Sequence, residues 1–471
     1  MAQKQTPTRL VCRIACLVLL GLLGGSSAGV LSQEVGTALH LPLIYNDYPP
    51  PPPSWGVQMS VIDDAHGLQH AIQSGTHWVR YVAFEWDQIE PVRATPARYE
   101  WHTVDEQSLR NAHDNDLEVL AIVLFAPTWA RLYPDSACGP IDPGQLERYG
   151  AFLSALVQRY KDPPYNVKHW ELGNEPDMQV VNERRGHGCW GEDRYETFGG
   201  EAYGEMLKLA YPAIKAADPE AQVLIGGLLL DCDPAHPPEG QTCPSGRFLE
   251  GILDAGAGNA FDVVSYHGYA HWDGTHVVDV DNPNWQHRGG VSVGKAAFLR
   301  EMMARYTVDK PLMLTEGSLI YPRDTGGDWV PPDDTFYDAQ AEYVVRLYVR
   351  NWANEIEATI WYTLDGPGWR YGSLLDAQQA PRPAYEAYRF MIQELGDAWY
   401  EGPVTRYVNL EGYAFGTPEK RTWVLWPPQD TTWNVVLPSD MIRVYDKLGQ
   451  EITPSESSLT LTGVVYVELA R

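Results

Sequence analysis

Positive charge is scarce in this chain. Its 471 residues include 35 Lys and Arg against 62 Asp and Glu, which gives a net charge of −27. Phosphates would be repelled by such a protein, so we expect neither nucleic acid nor an anionic membrane surface as its partner. A neutral ligand suits this charge better.

Long hydrophobic runs are missing beyond the N-terminal region. The apolar stretch at residues 10–24 is interrupted by Arg13 and is short for a membrane span, which needs about 20 residues. Basic residues precede it and small residues follow at 26–29, a pattern that predicts a signal peptide over residues 1–28. An uncleaved membrane anchor is the alternative. We therefore expect a secreted or extracytoplasmic protein with no membrane contact after leader cleavage.

Cysteine is rare as well, and two of the six cysteines lie in the predicted leader. The other four are Cys138, Cys189, Cys232 and Cys243, and an even number in an exported chain favours disulfides. Cys232 and Cys243 flank a loop rich in Pro and Gly and are expected to pair, which leaves Cys138 for Cys189. Free thiols are the alternative. The spacing does not resemble a zinc site.

Aromatic residues, by contrast, are abundant, with 17 Trp and 27 Tyr. Most are expected in a large hydrophobic core. The remainder suit a carbohydrate ligand, because sugar rings present C–H faces that stack on aromatic side chains.

Short apolar runs alternate with longer amphipathic stretches after the prolines at 49–53. Eight runs can be counted, at residues 55–59, 78–84, 117–125, 167–172, 222–228, 261–266, 311–315 and 358–363. Alternation of this kind is typical of a parallel sheet with helical crossovers, and eight units are the number in a closed (β/α)8 TIM barrel. An open doubly wound sheet is the alternative, but no Gly-rich dinucleotide loop supports it.

The pattern changes beyond Trp399, where short runs rich in Val, Thr and Tyr predict strands at 405–409, 422–426, 433–437, 441–445 and 464–469. The fold class is therefore α/β, a TIM barrel with a small C-terminal all-β domain. The predicted domains are a leader at 1–28, a Pro-rich linker at 29–54, the barrel at 55–397 and a sandwich-like β domain at 398–471. That last domain is expected to pack on the barrel as a cap, with carbohydrate binding as the alternative.

Two glutamates follow apolar runs that predict barrel strands. Glu175 ends the fourth strand and Glu316 ends the seventh. Three strand steps out of eight bring the two side chains face to face across the barrel mouth. Retaining glycosidases hold two carboxyl groups about 5–5.5 Å apart. Pro176 is expected to keep Glu175 in extended backbone, and Glu171, four residues earlier, is expected to lie inside or behind the barrel instead of at its mouth.

The motif Asn174-Glu175-Pro176, together with Glu316, resembles glycoside hydrolase clan A, the retaining hydrolases with glutamates on the fourth and seventh barrel strands. The resemblance covers residues 55–395, and the added β domain is similar in architecture to family 39 and related families. It implies that Glu175 is the general acid/base and Glu316 the nucleophile, and that Asn174 binds the sugar 2-hydroxyl.

The same resemblance implies roles for four more residues. Arg80 matches the second-strand arginine that supports the nucleophile, and His267 with Tyr269 matches a sixth-strand pair whose tyrosine can bond the nucleophile. An ordinary salt bridge is the alternative for Arg80, and a buried structural histidine is the alternative for His267. Trp361 matches the eighth-strand platform for the sugar, with Tyr362 as the alternative if the register slips by one.

The expected function is a retaining glycosidase that hydrolyses O-glycosidic bonds in β-linked oligo- or polysaccharides by double displacement. No metal or organic cofactor is expected, and the oligomeric state is not predicted. A transglycosylase on the same scaffold and a non-catalytic carbohydrate-binding protein are the alternatives.

Overall fold

The computed structural model describes residues 54–183, 188–324, 330–429 and 431–471. The predicted leader at 1–28 lies outside these residues, as does the predicted linker up to residue 53. Among the described residues, no helix is both long enough and apolar enough to cross a bilayer.

Eight parallel strands form the main sheet. They are β1 (Ser54–Gln58), β2 (Trp78–Glu85), β3 (Glu118–Leu124), β4 (His169–Asn174), β5 (Gln222–Gly227), β6 (Val264–Trp272), β8 (Leu312–Ile320) and β9 (Ala358–Trp361). The two-residue strand β7 (Val277–Val278) pairs antiparallel with the end of β6. The neighbour order is β5-β4-β3-β2-β1-β9-β8-β6-β7. Isolated parallel bridges between the β5 and β6 segments, Leu224 with Val263 and Leu228 with Tyr266, complete the circle. The predicted eight-stranded barrel is confirmed.

Helices connect the strands and cover the outside of the barrel. They are α1 (Leu68–Ser74), α2 (Trp86–Ile89), α3 (Glu106–Asp114), α4 (Leu146–Tyr160), α5 (Gly200–Ala217), α6 (Phe248–Asp254), α7 (Val293–Arg305), α8 (Asp334–Ala353) and α9 (Pro383–Leu395). Sequence signals explain several ends: Asp105 and Asp333 accept N–H groups at the starts of α3 and α8, and Pro383 begins α9. Along α4, Tyr149, Phe152 and Leu156 recur every three or four residues and are buried.

The lower part of the barrel interior is apolar. Its side chains form a cluster separate from the core between strands and helices, here called the lower interior cluster: Trp78, Leu120, Leu224, Val263, Met313, Ala358 and Ile360. Strands β2, β3, β5, β8 and β9 all contribute to it. The cluster fills the barrel with apolar side chains, as a closed barrel of this size requires.

Strand β8 contains an irregularity that matters for the site. Leu314 pairs with Thr359 and Gly317 pairs with Trp361, so β8 has one residue more than β9 between these pairs. The pairing with β6 shifts at the same place, from Tyr266–Leu314 to His267–Glu316. An extra residue of this kind is a β-bulge. It allows two consecutive side chains, those of Thr315 and Glu316, to point into the barrel interior.

The C-terminal part is all-β. Strands β10 (Trp399–Pro403), β11 (Glu411–Gly416), β12 (Lys420–Trp426), β16 (Val465–Ala470) and β14 (Met441–Asp446) form one antiparallel sheet, and β13 (Trp433–Val436) pairs with β15 (Ser458–Leu461). The strand predicted at 405–409 is wrong: these residues form a loop, in which the Tyr407 hydroxyl donates to the carbonyl of Val436. This part packs on the barrel through rings such as Phe415 against Trp352 of α8.

Both predicted disulfides are present. Cys138 is bonded to Cys189, and Cys232 to Cys243. The first joins the segment after β3 to the segment after β4, and the second closes the loop that follows β5. Both therefore lie among the connections at the carboxyl ends of the barrel strands, where (β/α)8 enzymes build their sites.

Candidate active site

Glu316 lies in the middle of β8 and not at its end, because the strand continues to Ile320. Its side chain is 6 % exposed, and one carboxylate oxygen accepts a hydrogen bond from the guanidinium of Arg80. The other oxygen accepts from the hydroxyl of Tyr269. Both oxygens are thus held by donors from two other strands, the adjacent β6 and the more distant β2.

Arg80 organises the interior of the barrel mouth. It is fully buried on β2, and besides Glu316 it donates to Glu171 (2.6 Å), to Gln58 (2.6 Å) and to the side-chain oxygen of Asn174 (2.6 Å). Burial alone would lower the pKa of Arg80, but the carboxylates of Glu171 and Glu316 raise it above its ordinary value. The guanidinium therefore stays charged and balances negative charge at the site.

Glu171 is the carboxylate beneath the site. Its side chain is 0 % exposed, and it accepts hydrogen bonds from Arg80, from Ser265 (2.8 Å) and from Thr315 (3.0 Å). The prediction that Glu171 lies inside the barrel is confirmed. Its oxygens are occupied by structural donors, so it supports Arg80 and does not face the open mouth.

Glu175 follows β4 directly, and its backbone differs from the expectation. Pro176 was expected to keep it extended, but φ at Glu175 is 48°, in the left-handed region. The prediction is wrong because Pro176 disfavours the right-handed helical region and does not select among the remaining ones. The N–H of Glu175 donates to the carbonyl of Gly227 on β5 (3.0 Å), which anchors this turn of the chain to the next strand.

His267 lies between the two glutamates. Its Nδ1 is 2.9 Å from Oε1 of Glu175 and 3.4 Å from Oε2 of Glu316. Burial lowers the pKa of His267 to about 4, so the ring is neutral near pH 7. The ring packs against β5 at Gly227, where any Cβ would collide with Nε2, so glycine is required there.

The two glutamates approach closely. One oxygen of Glu175, one oxygen of Glu316 and one ring nitrogen of His267 all lie within 4.8 Å of one another. A divalent cation could be accommodated by a donor set of this spacing. The same spacing also matches a pair of carboxyl groups acting together on one bond.

Tyr269 lies beside Glu316 on the adjacent strand β6. Burial, followed by the nearby charge of Glu316, raises its pKa well above the ordinary value. The phenol therefore stays protonated and donates to Glu316. Its ring lies at the mouth, in edge contact with Tyr362 (5.9 Å) and with Trp369 (5.4 Å).

Trp361 is not part of the site. It is 0 % exposed, its ring lies 6.3 Å from Tyr343 of α8, and its indole N–H donates to the carbonyl of Gly372. Ile360 belongs to the lower interior cluster, and side chains alternate along a strand, so Trp361 points outward. The assignment of Trp361 is therefore corrected to Tyr362, the alternative one residue on.

Tyr362 faces the two glutamates. Its pKa is raised, first by burial and then by the charge of Glu316, with a smaller contribution from Glu175. Counting alternate residues from Ala358 through Ile360 would have selected Tyr362 from the sequence.

We refer to the charged and polar side chains at the mouth and directly beneath it as the upper polar cluster: Arg80, Glu171, Asn174, Glu175, Ser265, His267, Tyr269, Thr315 and Glu316. Ser265 and Thr315 of this cluster, and Gln58 beside it, were not predicted from the sequence. Ser265 lies two residues before His267, which is a signal that strand alternation provides. Thr315 carried no such signal, since a β-bulge has no marker in the local sequence.

Trp369 was missed as well. It is 43 % exposed in the loop after β9, where its ring meets Tyr269. An exposed tryptophan beside the site offers a surface on which an apolar ring face can stack.

The comparisons with known proteins concern the fold. No protein-family model and no curated protein matches the chain. A family 39 glycoside hydrolase from Bacteroides cellulosilyticus WH2 has a similar structure, with a TM-score of 0.64, 18 % identity, and coverage of 89 % of this chain and 81 % of that one.

Two further solved structures are similar over nearly their whole length. A glucosidase from Croceicoccus marinus gives a TM-score of 0.57 at 16 % identity, with 89 % of this chain and 96 % of that one covered. A GH30 endoxylanase from Clostridium papyrosolvens C71 gives a TM-score of 0.56 at 13 % identity, with 90 % of this chain and 97 % of that one covered. At these identities the likeness establishes a shared barrel with a β domain.

Proposed function

We propose that this protein is a retaining glycoside hydrolase that cleaves β-linked oligo- or polysaccharides. The observation that carries the proposal is the pair of carboxyl groups of Glu175 and Glu316, whose oxygens come within 4.8 Å across the barrel mouth. Retaining enzymes need about 5–5.5 Å between the two groups, whereas inverting enzymes need about 6.5–9.5 Å to admit a water molecule.

In the first step, Glu316 attacks the anomeric carbon while Glu175 gives its proton to the departing glycosidic oxygen. The Glu316–carbon bond forms as the carbon–oxygen bond breaks, which leaves a covalent glycosyl-enzyme. Arg80 and Tyr269 hold the two oxygens of Glu316, so the nucleophile is oriented before substrate arrives.

In the second step, Glu175, now ionised, takes a proton from water, and the hydroxyl oxygen displaces Glu316 from the anomeric carbon. Asn174 accepts a hydrogen bond from Arg80 beneath the sugar position, and its side-chain amide binds the sugar 2-hydroxyl. Tyr362 and Trp369 supply aromatic surface for the ring.

The test uses aryl β-glycosides and plant or microbial polysaccharides with the wild type, Glu316→Gln and Glu175→Gln. We expect the wild type to cleave at least one substrate, and Glu316→Gln to lower kcat/KM by at least about 10³-fold because an amide is not a nucleophile. Glu357→Gln, an exposed glutamate before β9 at the opposite end of the barrel, is the matched control and should leave the rate unchanged. An unchanged rate in Glu316→Gln would overturn the proposal.

The two alternatives are separated by the same assay. A transglycosylase would release the aryl alcohol but pass the sugar to an added acceptor, so free sugar would fall short of free alcohol. A non-catalytic binding protein would bind sugars and release neither product. Assaying the wild type with an added chelator tests whether activity needs a bound cation. We expect full activity.

We also propose the organisation of the full chain: a leader at 1–28, a linker at 29–54, the catalytic barrel at 55–397 and the β domain at 398–471. The two disulfides support export, since such bonds persist in oxidising compartments. Mass spectrometry of the mature N-terminus tests the leader; an intact Met1 in exported protein would contradict it.

A further inference from the structure

The seam between β5 and β6 lies beside both His267 and Glu175. Pairing there is sparse: Leu228 donates to the carbonyl of Ser265 (3.0 Å), and His267 donates to the carbonyl of Leu228 (2.8 Å). Beyond Leu228 the two segments separate, and their remaining backbone groups need other partners. Two charged side chains, Lys295 and Asp177, provide them.

Lys295 reaches the seam from α7. Its ammonium donates to the carbonyl of His267 (2.9 Å) and to the carbonyl of Leu229, so it joins the two segments where their own pairing ends. The residue is 6 % exposed, and within the described parts of the chain no carboxylate lies at ion-pair distance from it. Its Nζ lies 5.8 Å from the ring centroid of Trp285.

Asp177 holds the same segment from the other side. Its carboxylate accepts the N–H groups of Leu229 (2.9 Å) and Leu230 (2.8 Å), and the residue is 0 % exposed. Asp177 lies two residues after Glu175, so this pair of bonds fixes the chain that carries Glu175 to the end of β5.

Burying charge without a contacting counter-ion is unfavourable, and apolar side chains of similar size would stabilise a barrel seam better. Both charged groups bind backbone atoms of one short segment after β5. The backbone N–H groups of His267 and Glu175 donate to carbonyls at the start of this segment, those of Leu228 and Gly227. The ring of His267 is in turn within hydrogen-bond distance of Glu175. Burial also lowers the pKa of Lys295 to about 8 and raises that of Asp177 to about 7.

We propose that Lys295, with Asp177 opposite it, is a positioning residue that sets the geometry of His267 and Glu175 for proton transfer to the leaving group. The inference rests on the proposed function, in which Glu175 is the general acid. It assigns Lys295 no contact with substrate. Its effect should therefore appear only in steps where Glu175 must move a proton.

Leaving-group dependence tests this. A 2,4-dinitrophenyl group departs as an anion without a proton, whereas a phenyl group needs one from Glu175. With β-glycosides of the sugar that the wild type cleaves, Lys295→Met should lower kcat/KM for the phenyl substrate at least about 10-fold more than for the dinitrophenyl substrate. Lys208→Met is the matched control, because Lys208 also donates to a backbone carbonyl, that of Ala255 (2.9 Å), but on the outer helix α5. It should leave both rates unchanged.

Equal losses for the two substrates, or no loss, would overturn the inference, since a general loosening of the fold affects both alike. Asp177→Asn keeps one acceptor oxygen, should show the same selective loss, and decides the question if Lys295→Met does not fold. A wild type that cleaves neither substrate would overturn the proposed function and this inference together. If the wild type cleaves both substrates but Lys295→Met shows no selective loss for the phenyl substrate, only the inference about Lys295 is overturned.

Discussion

The lower interior cluster and the upper polar cluster lie at different heights of the same barrel, and strands β2 and β8 contribute to both. On β2 the interior residues are Trp78 and then Arg80; on β8 they are Met313 and then Thr315 with Glu316. The lower cluster has only apolar side chains. The upper cluster places carboxylates, an arginine and a histidine out of water, with each charge dependent on a specific partner.

The difference shows how a barrel separates stability from chemistry. Apolar burial is non-directional and contributes about 25 cal/mol per Å² of buried surface, so the lower cluster stabilises the fold whatever the exact contacts are. Buried charges are unfavourable unless they are paired. The side chains of the upper cluster must therefore be held next to their partners, and the strands packed around the lower cluster hold them there. Substitutions in the two clusters should therefore have different consequences.

Arg80→Met should have the largest effect. It leaves Glu171 and Glu316 buried side by side without a cation, which should lower the free energy of unfolding by about 3–5 kcal/mol. Any folded fraction should lose about 100-fold or more in kcat/KM, because Glu316 and Asn174 both lose a fixed donor. Denaturant unfolding and the aryl glycoside assay measure the two effects.

Arg93→Met is the control for that substitution, since Arg93 is exposed and should change stability by no more than about 0.5 kcal/mol. If Arg80→Met behaved like Arg93→Met, the upper cluster would not depend on charge pairing.

Leu224→Ala tests the lower cluster. It removes a fully buried side chain and should lower the free energy of unfolding by about 2–5 kcal/mol through lost burial and a residual cavity. Measured well below its melting temperature, the variant should retain kcat within about 2-fold, because no catalytic contact is changed. A loss of kcat as large as that of Arg80→Met would erase the distinction between the clusters.

Most of the fold and the candidate pair, Glu175 and Glu316, could be predicted from the sequence for identifiable reasons. Strand count and helix positions follow from apolar periodicity, and Glu175 and Glu316 stand directly after apolar runs. Trp361 was misassigned because residue type was followed, whereas alternation from Ile360 assigns the inward position to Tyr362. Thr315 and the φ of Glu175 were missed because a bulge and a left-handed turn depend on neighbouring strands.

His169 gives the lower region a dependence on pH. Its ring lies 4.4 Å from Trp78, and burial lowers its pKa from 6.5 to about 4. A base with a lowered pKa in the folded state contributes stability that is present above pH 6.5 and is lost as the pH falls through about 4.

His169→Phe removes this titration. Between pH 7 and pH 4 the wild type should lose about 1–3 kcal/mol more stability than the variant. Melting temperatures of both proteins across this range provide the measurement. Parallel curves would show that folding does not lower the pKa of His169, which would contradict the prediction.

The smallest expected effect is a difference in KM between substitutions of Tyr362 and of Trp361. Tyr362→Leu should raise KM by about 2–10-fold, because an aromatic face is worth about 0.5–1.5 kcal/mol. Trp361→Phe should leave KM within about 2-fold, since Trp361 is on the outer face of its strand. The reverse order in steady-state kinetics would restore Trp361 to the site.

The central claim is that Glu175 and Glu316 act as a double-displacement pair, and product stereochemistry tests it most directly. Proton NMR during cleavage of an aryl β-glycoside by the wild type records the anomer that is released first, before mutarotation. The account predicts the β-anomer, because two successive displacements at the anomeric carbon restore its configuration. Initial release of the α-anomer would contradict it.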